Sequence, residues 1–279
     1  MRTMAVTSLK GGVGKTTLSL SLAAGLARRL PKRGRLLVVD GDPQGNATMS
    51  LLDGKVPDDP TLSHVLLGEA AAHQAIRPSR LPKVDILPAD TSLAECTILL
   101  DKQIGRENRL RAVLQGVEAT YETCLIDALP GLNLISVNIL NAARELIVPV
   151  DAGVYSVAGL GRVHETVEQV RKHLCHPDLC IIGLCLMKLT RSKVTKDFER
   201  QLRDHYGPLV YRTTVPFHAA VEEACARNLT VGEHAPASPA AVAFDELVKE
   251  LMSHGQTVGS SRRNPRPHRG AARNKRRAG

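Results

Sequence analysis

The sequence predicts an α/β protein: a mostly parallel, twisted sheet with helices on both faces. Three observations carry that expectation. Short apolar runs at 4–9, 36–40, 84–88, 123–127, 145–150, 181–187 and 210–215 have the length and continuity of strands buried on both faces. Helix-periodic stretches at 16–30, 61–69, 107–119, 132–143, 159–174, 193–206, 218–227 and 238–253 separate them. A glycine-rich octapeptide, Lys10-Gly-Gly-Val-Gly-Lys-Thr-Thr17, lies between the first run and the first helix. That strand–loop–helix setting is what a phosphate-binding loop requires.

Along the chain, the octapeptide comes first. Gly11, Gly12 and Gly14 let the backbone approach a polyphosphate, so that successive N–H groups and a helix N-terminus face its charge. Lys15 is placed for the β- and γ-phosphates and the Thr16 hydroxyl for Mg²⁺. The expected nucleotide contacts are thus Lys10, Gly11, Gly12, Val13, Gly14, Lys15, Thr16 and Thr17. Leu9 stands where the ordinary pattern has its first glycine, and Lys10 adds a second lysine at the loop entrance. The next run ends in Asp40-Gly-Asp42-Pro-Gln-Gly-Asn-Ala-Thr48, and the run at 123–127 ends on Asp127. Acidic residues at the carboxyl ends of parallel strands, downstream of a phosphate loop, read as part of the site. Asp127 looks like the Walker B carboxylate that holds Mg²⁺ through water. Residues 58–80 and 90–105 read as an insert and a connector, and there is no internal repeat.

Length and charge set the outer bounds. The 279 residues suit one domain, 1–258, followed by a disordered basic tail, 259–279. Net charge is +9, yet eight cations without an acid lie from Gly259 onward (among them Arg262, Arg263, Arg276 and Arg277), which leaves the body at +1. Such a tail neutralises phosphates in a salt-sensitive, sequence-independent way. A second basic cluster, Lys188, Arg191, Lys193, Lys196, Arg200 and Arg203, falls on the stretch at 188–206. Lys196, Arg200 and Arg203 share one helical face there, interleaved with Asp197, Glu199 and Asp204. No cleavable signal and no apolar stretch of membrane-spanning length is expected. Aromatics make up 3% with no Trp, which argues against an aromatic platform for single strands. Six cysteines, with His173, Cys175, His176, Cys180 and Cys185 close in sequence, include no Cys-x-x-Cys pair and match no common zinc spacing; five of the six are expected as buried thiols.

Three pieces carry a family resemblance: Lys10–Thr17, the Asp40–Thr48 run, and Ile147-Val-Pro-Val150 with Tyr155 and Gly159-Leu160. From about Met4 to Met252 the chain resembles the ParA family of partition ATPases, of the deviant Walker A (SIMIBI) class of P-loop proteins. The form is Soj-like, since no helix-turn-helix extension is expected before the first strand. The resemblance implies ATP and Mg²⁺ as cofactors and an ATP-sandwiched homodimer in which Lys10 touches the partner's nucleotide. It further implies that Lys10, Lys15 and Asp42 serve catalysis, Asp42 by positioning the hydrolytic water, and that Thr16, Asp40 and Asp127 serve the metal. Binding to nonspecific DNA, stimulation by a ParB-like or other cargo-adaptor protein, and a cytoplasmic, nucleoid-associated location follow in the same way. Relatives place DNA-binding cations in the part of the fold holding Arg191, Lys196, Arg200 and Arg203.

The chain also departs from the family pattern. Asp127-Ala-Leu129-Pro130-Gly131 keeps one of two prolines in the nucleotide-sensing segment. Met187-Lys188-Leu189-Thr190 replaces a Thr-Met-x-Asp stretch near the base, Val215-Pro216-Phe217 replaces Ile-Pro-Arg, and Cys225 replaces a proline. The alternatives are a MinD-like membrane ATPase and a metal- or cluster-handling relative. The first lacks a bulky apolar tail helix, because no Leu, Ile or Phe follows residue 258, and the second is weakened by the cysteine spacing.

Overall fold

The structure is a computed structural model that describes residues 1–257 apart from Val56 and 153–155. In chain order the elements are β1 (Arg2–Val6), α1 (Lys15–Arg29), β2 (Leu36–Gly41), α2 (Asn46–Leu51), α3 (Leu62–Leu67), α4 (Ala72–Ala75) and β3 (Arg77–Pro78). Then follow β4 (Val84–Leu87), α5 (Ser92–Leu100), α6 (Arg109–Gln115), β5 (Thr123–Ala128), α7 (Leu134–Ala142), β6 (Glu145–Asp151) and α8 (Ser156–His173). The chain continues through β7 (Cys180–Leu189), α9 (Lys193–Tyr206), β8 (Val210–Pro216), α10 (Ala219–Ala226), α11 (Val231–His234) and α12 (Pro239–Thr257).

The strands form one sheet in the order β3-β4-β2-β5-β1-β6-β7-β8. Every pairing is parallel except β3 with β4. Period-two alternation sends successive side chains to opposite faces. Met4, Leu36, Val38, Leu125 and Ile147 therefore enter a core under α1, α2 and α10–α12. Ala5, Leu37, Val39, Ile126 and Leu146 enter the core under α3 and α5–α8. Because both faces are covered, the strands read as continuous apolar runs, and that is why the parallel sheet was legible in the sequence.

The differences from expectation sit at the edges. β1 ends at Val6 rather than residue 9, since Thr7 makes a last backbone bond to the Ile147 carbonyl (3.1 Å) and the chain then lifts off into the glycine-rich loop. The connector at 90–105 contains α5, whose Leu93, Cys96 and Leu100 are buried at helical spacing. The insert ends in β3, a two-residue antiparallel edge strand carrying a proline, the usual way to blunt a sheet edge. Three cysteines are buried (Cys96, Cys124, Cys185), while Cys180 is half-buried and Cys175 and Cys225 are exposed. The expectation of five buried thiols therefore overcounts, because Cys175 and Cys225 lie in a turn and at the end of a helix.

One close approach fixes how β7 and β8 pack. A Cβ placed on Gly183 would lie 2.0 Å from Cε2 of Tyr211, a ring that is itself fully buried. Overpacking of this kind costs roughly 1–3 kcal/mol. Gly183→Ala should therefore lower the unfolding free energy by about that amount in a denaturant titration; an unchanged midpoint would mean that the ring can step aside.

Candidate functional site

The carboxyl ends of β1, β2, β5 and β6 gather the motif residues at one edge of the sheet. Gly12 and Gly14 have φ of +72° and +98°, left-handed backbone that favours glycine. Gly14 is the N-cap of α1 and offers no side-chain cap, so the first N–H groups of the helix stay directed at the loop. Lys15, in the first turn, is buried at 7% exposure, and its Nζ lies 3.4 Å from the Lys10 carbonyl. Burial pulls its pKa down, while the nearby charges of Asp127 and Asp42 push it back up. The ammonium thus lies within the electrostatic reach of both carboxylates.

Parallel register sets Asp40 directly across from Asp127. Both are almost fully buried, and burial pushes both carboxyls above the ordinary range; the charge of Asp127 adds to the shift of Asp40. Hydrogen bonds from Thr16 and Ser19 act against the shift of Asp127, with the Ser19 hydroxyl donating at 2.8 Å. Asp40 accepts from the Asp42 N–H (3.1 Å), the Thr48 N–H (2.8 Å) and the Thr48 hydroxyl (2.8 Å). Both of its oxygens are thus engaged in shaping the 42–48 turn. Asp42-Pro-Gln-Gly45 closes that turn with a Gly45 N–H bond to the Asp42 carbonyl (2.9 Å), and the Asp42 carboxylate accepts from the Gln44 N–H (2.9 Å). Thr16 and Asp127 supply hard oxygen donors beside Lys15, a set that fits Mg²⁺ bound together with a phosphate.

From the loop a cleft of about 530 Å³ extends across the ends of β7 and β8 to α10 and α11. Asp42 and Pro130 lie at its phosphate end; Met187, Val215, Pro216, Phe217 and Val221 make an apolar wall. Arg80, within the insert at 58–80, ties two sides together. Its guanidinium donates to the Ser50 carbonyl at the end of α2 (2.6 Å) and to the Asn228 carbonyl beyond α10 (2.9 Å), and pairs with Glu233.

Two cations sit where the sequence did not put them. Lys10 pairs with Asp151 of the same chain (Nζ–Oδ2 2.5 Å). Asp151 is another acid at a strand's carboxyl end, and the pattern that found Asp40 and Asp127 would have found it too. Lys188, read as part of a basic surface cluster, donates to the Gly12 carbonyl (2.7 Å) from a left-handed backbone position (φ +56°).

A family model described as an AAA domain matches residues 1–181. The chain is 34% identical over 253 residues to the sporulation initiation inhibitor protein Soj of Bacillus subtilis, covering 90% of this chain and 98% of that one. It is 37% identical over 257 residues to the chromosome-partitioning ATPase Soj of Thermus thermophilus, covering 92% and 97%. The chain belongs to the ParA/Soj family of partition ATPases. A solved Mycobacterium smegmatis structure, described as cobyrinic acid a,c-diamide synthase with a bound ATP analogue and magnesium, superposes with a TM-score of 0.77 at 28% identity, covering 96% of this chain and 99% of that one.

Within this ParA/Soj member the altered Walker B segment has a structural account. Leu129, where the family pattern has a proline, is buried in the core, and Gly131 (φ +92°) takes up the turn before Asn133 caps α7 by accepting from the Ser136 N–H (2.9 Å). The basic helix α9 starts at a Ser192 cap. Arg191, Lys193, Lys196 and Arg200 are exposed, with Arg200 paired to Asp197 (2.5 Å). Arg203 differs: its guanidinium bonds Glu199 (2.9 Å) and the carbonyls of Tyr211 (3.0 Å) and Arg212 (3.2 Å), so it braces α9 against β8. Tyr155 and the tail cations Arg262, Arg263, Arg276 and Arg277 lie outside the described residues. Among the described residues no helix is long and apolar enough to cross a membrane, and no group of three or more His, Cys, Asp or Glu side chains is placed to hold a metal ion.

Proposed function

We propose that the chain is an Mg²⁺-dependent ATP hydrolase that dimerises on ATP, binds DNA without sequence preference and positions a cargo through a ParB-like or other adaptor. On this reading it is associated with the nucleoid. The convergence of Lys15, Asp42 and Asp127 beside the glycine loop carries the reading, because phosphoryl transfer depends chiefly on positioning and on compensating phosphate charge. The M. smegmatis neighbour, solved with an ATP analogue and magnesium, supports the choice of ligand.

In the proposed mechanism Lys15 and the N–H groups of the loop hold the phosphates, while Thr16 and Asp127 hold Mg²⁺. Bound there, the metal would offset charge on the transferring phosphoryl group. Ser19 fixes the Asp127 carboxylate, and Asp40 fixes the turn that presents Asp42 to the cleft. Asp42 orients the attacking water. Lys10 pairs with Asp151 within one chain, so a trans role requires that pair to open as a second subunit docks. Arg191, Lys196 and Arg200 would make the ATP-dependent DNA contacts, and residues 259–279 would add diffuse affinity.

Asp42→Ala should bind ATP as the wild type does and lose at least about a hundredfold in turnover, whereas Lys15→Gln should lose nucleotide binding. Equilibrium binding and steady-state phosphate release check both, and unchanged turnover in Asp42→Ala would remove the assigned role.

Cations clustered in sequence without acids act on a polyanion through counterion release. Truncation after Val258 should weaken duplex binding and flatten its salt dependence while basal ATPase activity stays unchanged. Equal affinities for the full and truncated chains at several salt concentrations would assign DNA binding to the body alone.

A further inference from the structure

Phe217 is the residue that follows β8, and 54% of its surface is exposed. A single exposed apolar side chain is ordinary, and what distinguishes this one is its place. It lies on the wall of the cleft, not on an isolated stretch of surface. The apolar wall begins beside the phosphate loop: the Met187 methyl is 3.2 Å from the point where a Cβ on Gly14 would stand. Val215, Pro216 and Val221 continue it to Phe217. The backbone that carries the ring is pinned on both sides. The Phe217 N–H donates to the Leu189 carbonyl (2.9 Å), and His218 caps α10 by accepting from the Ala220 N–H (3.2 Å). An aromatic side chain on an anchored backbone therefore borders a cavity of about 530 Å³ that also reaches the phosphate loop.

Resting on the nucleotide reading above, we propose that Phe217 is the base platform of this site, its ring stacking on the purine while Met187 and Val221 bound the slot. Every nucleobase has a π-face, and such stacking tolerates a change of base. The stack accordingly supplies affinity and not the choice between adenine and guanine, which falls to polar groups elsewhere.

The test is calorimetric titration of the full-length protein with Mg·ADP, Mg·GDP and inorganic tripolyphosphate. Phe217→Ala should weaken ADP and GDP alike by about tenfold, within the range that alanine substitution gives for one base–aromatic stack. Tripolyphosphate should be unaffected, and Phe217→Tyr should restore ADP to within about twofold of the wild type. An alanine variant that holds ADP as tightly as the wild type would overturn the proposal. So would an equal loss of tripolyphosphate, or a tyrosine variant as weak as alanine, since either would mean that the ring props the fold. A wild type that binds tripolyphosphate as tightly as ADP would overturn the platform while leaving the phosphate loop intact. Binding of neither would overturn the nucleotide reading together with it.

Discussion

Two carboxylates facing each other across β2 and β5, buried and in register, are the constraint on which the site depends. Neither burial nor proximity favours both being charged, and each pushes the pair toward holding a proton. The two acids solve this differently. Asp40 takes three hydrogen bonds from the 42–48 turn and so becomes the post around which that turn is built. Asp127 is steadied by Ser19, Thr16 and the nearby Lys15, and a divalent cation is the natural remaining partner. The turn that carries Asp42 is thereby tied to the strand end that faces Asp127.

The same economy of charge extends outward. Lys10 lies on Asp151 and Lys188 on the Gly12 carbonyl, so two of the cations around the loop are engaged with protein groups in a single chain. Arg203 is likewise committed to β8, leaving Lys193, Lys196 and Arg200 as exposed cations of α9, with Arg191 exposed just before it. With a body of net charge +1, attraction to a polyanion would rest on local arrangement and on the tail. Arg80 adds a mechanical link, joining the helix behind Asp42 to the loop beyond α10 and with it the two sides of the cleft.

What was legible in the sequence had a local cause. The loop, the strand-end acids and the two-faced burial of the strands are each written in a few adjacent residues, and in the fold Lys15 lies near enough to Asp127 and Asp42 for both to act on its charge. What was not legible depends on partners far apart in the chain. Arg80 meets Asn228, Lys188 meets Gly12 and Lys10 meets Asp151, pairs that only strand order brings into reach. Phe217 was read as the loss of a cation, because nothing local said that the residue after β8 borders the cleft. α5 lies inside the stretch 90–105, which reads as a connector, and shows itself only through the burial of Leu93, Cys96 and Leu100.

On the proposed function the strand-end carboxylates and the phosphate loop form one Mg²⁺–nucleotide site. Thermal unfolding of wild-type and Asp127→Asn protein, with ATP in the presence of Mg²⁺ or of a chelator, tests it most directly. Saturating Mg·ATP should raise the wild-type Tm by about 5–10 °C, as expected for a ligand near a hundred times its Kd acting on a domain of this size. ATP with chelator should give a clearly smaller shift, and the difference should vanish in Asp127→Asn. Equal shifts with and without Mg²⁺ in the wild type, or an undiminished Mg²⁺ effect in the variant, would contradict the account.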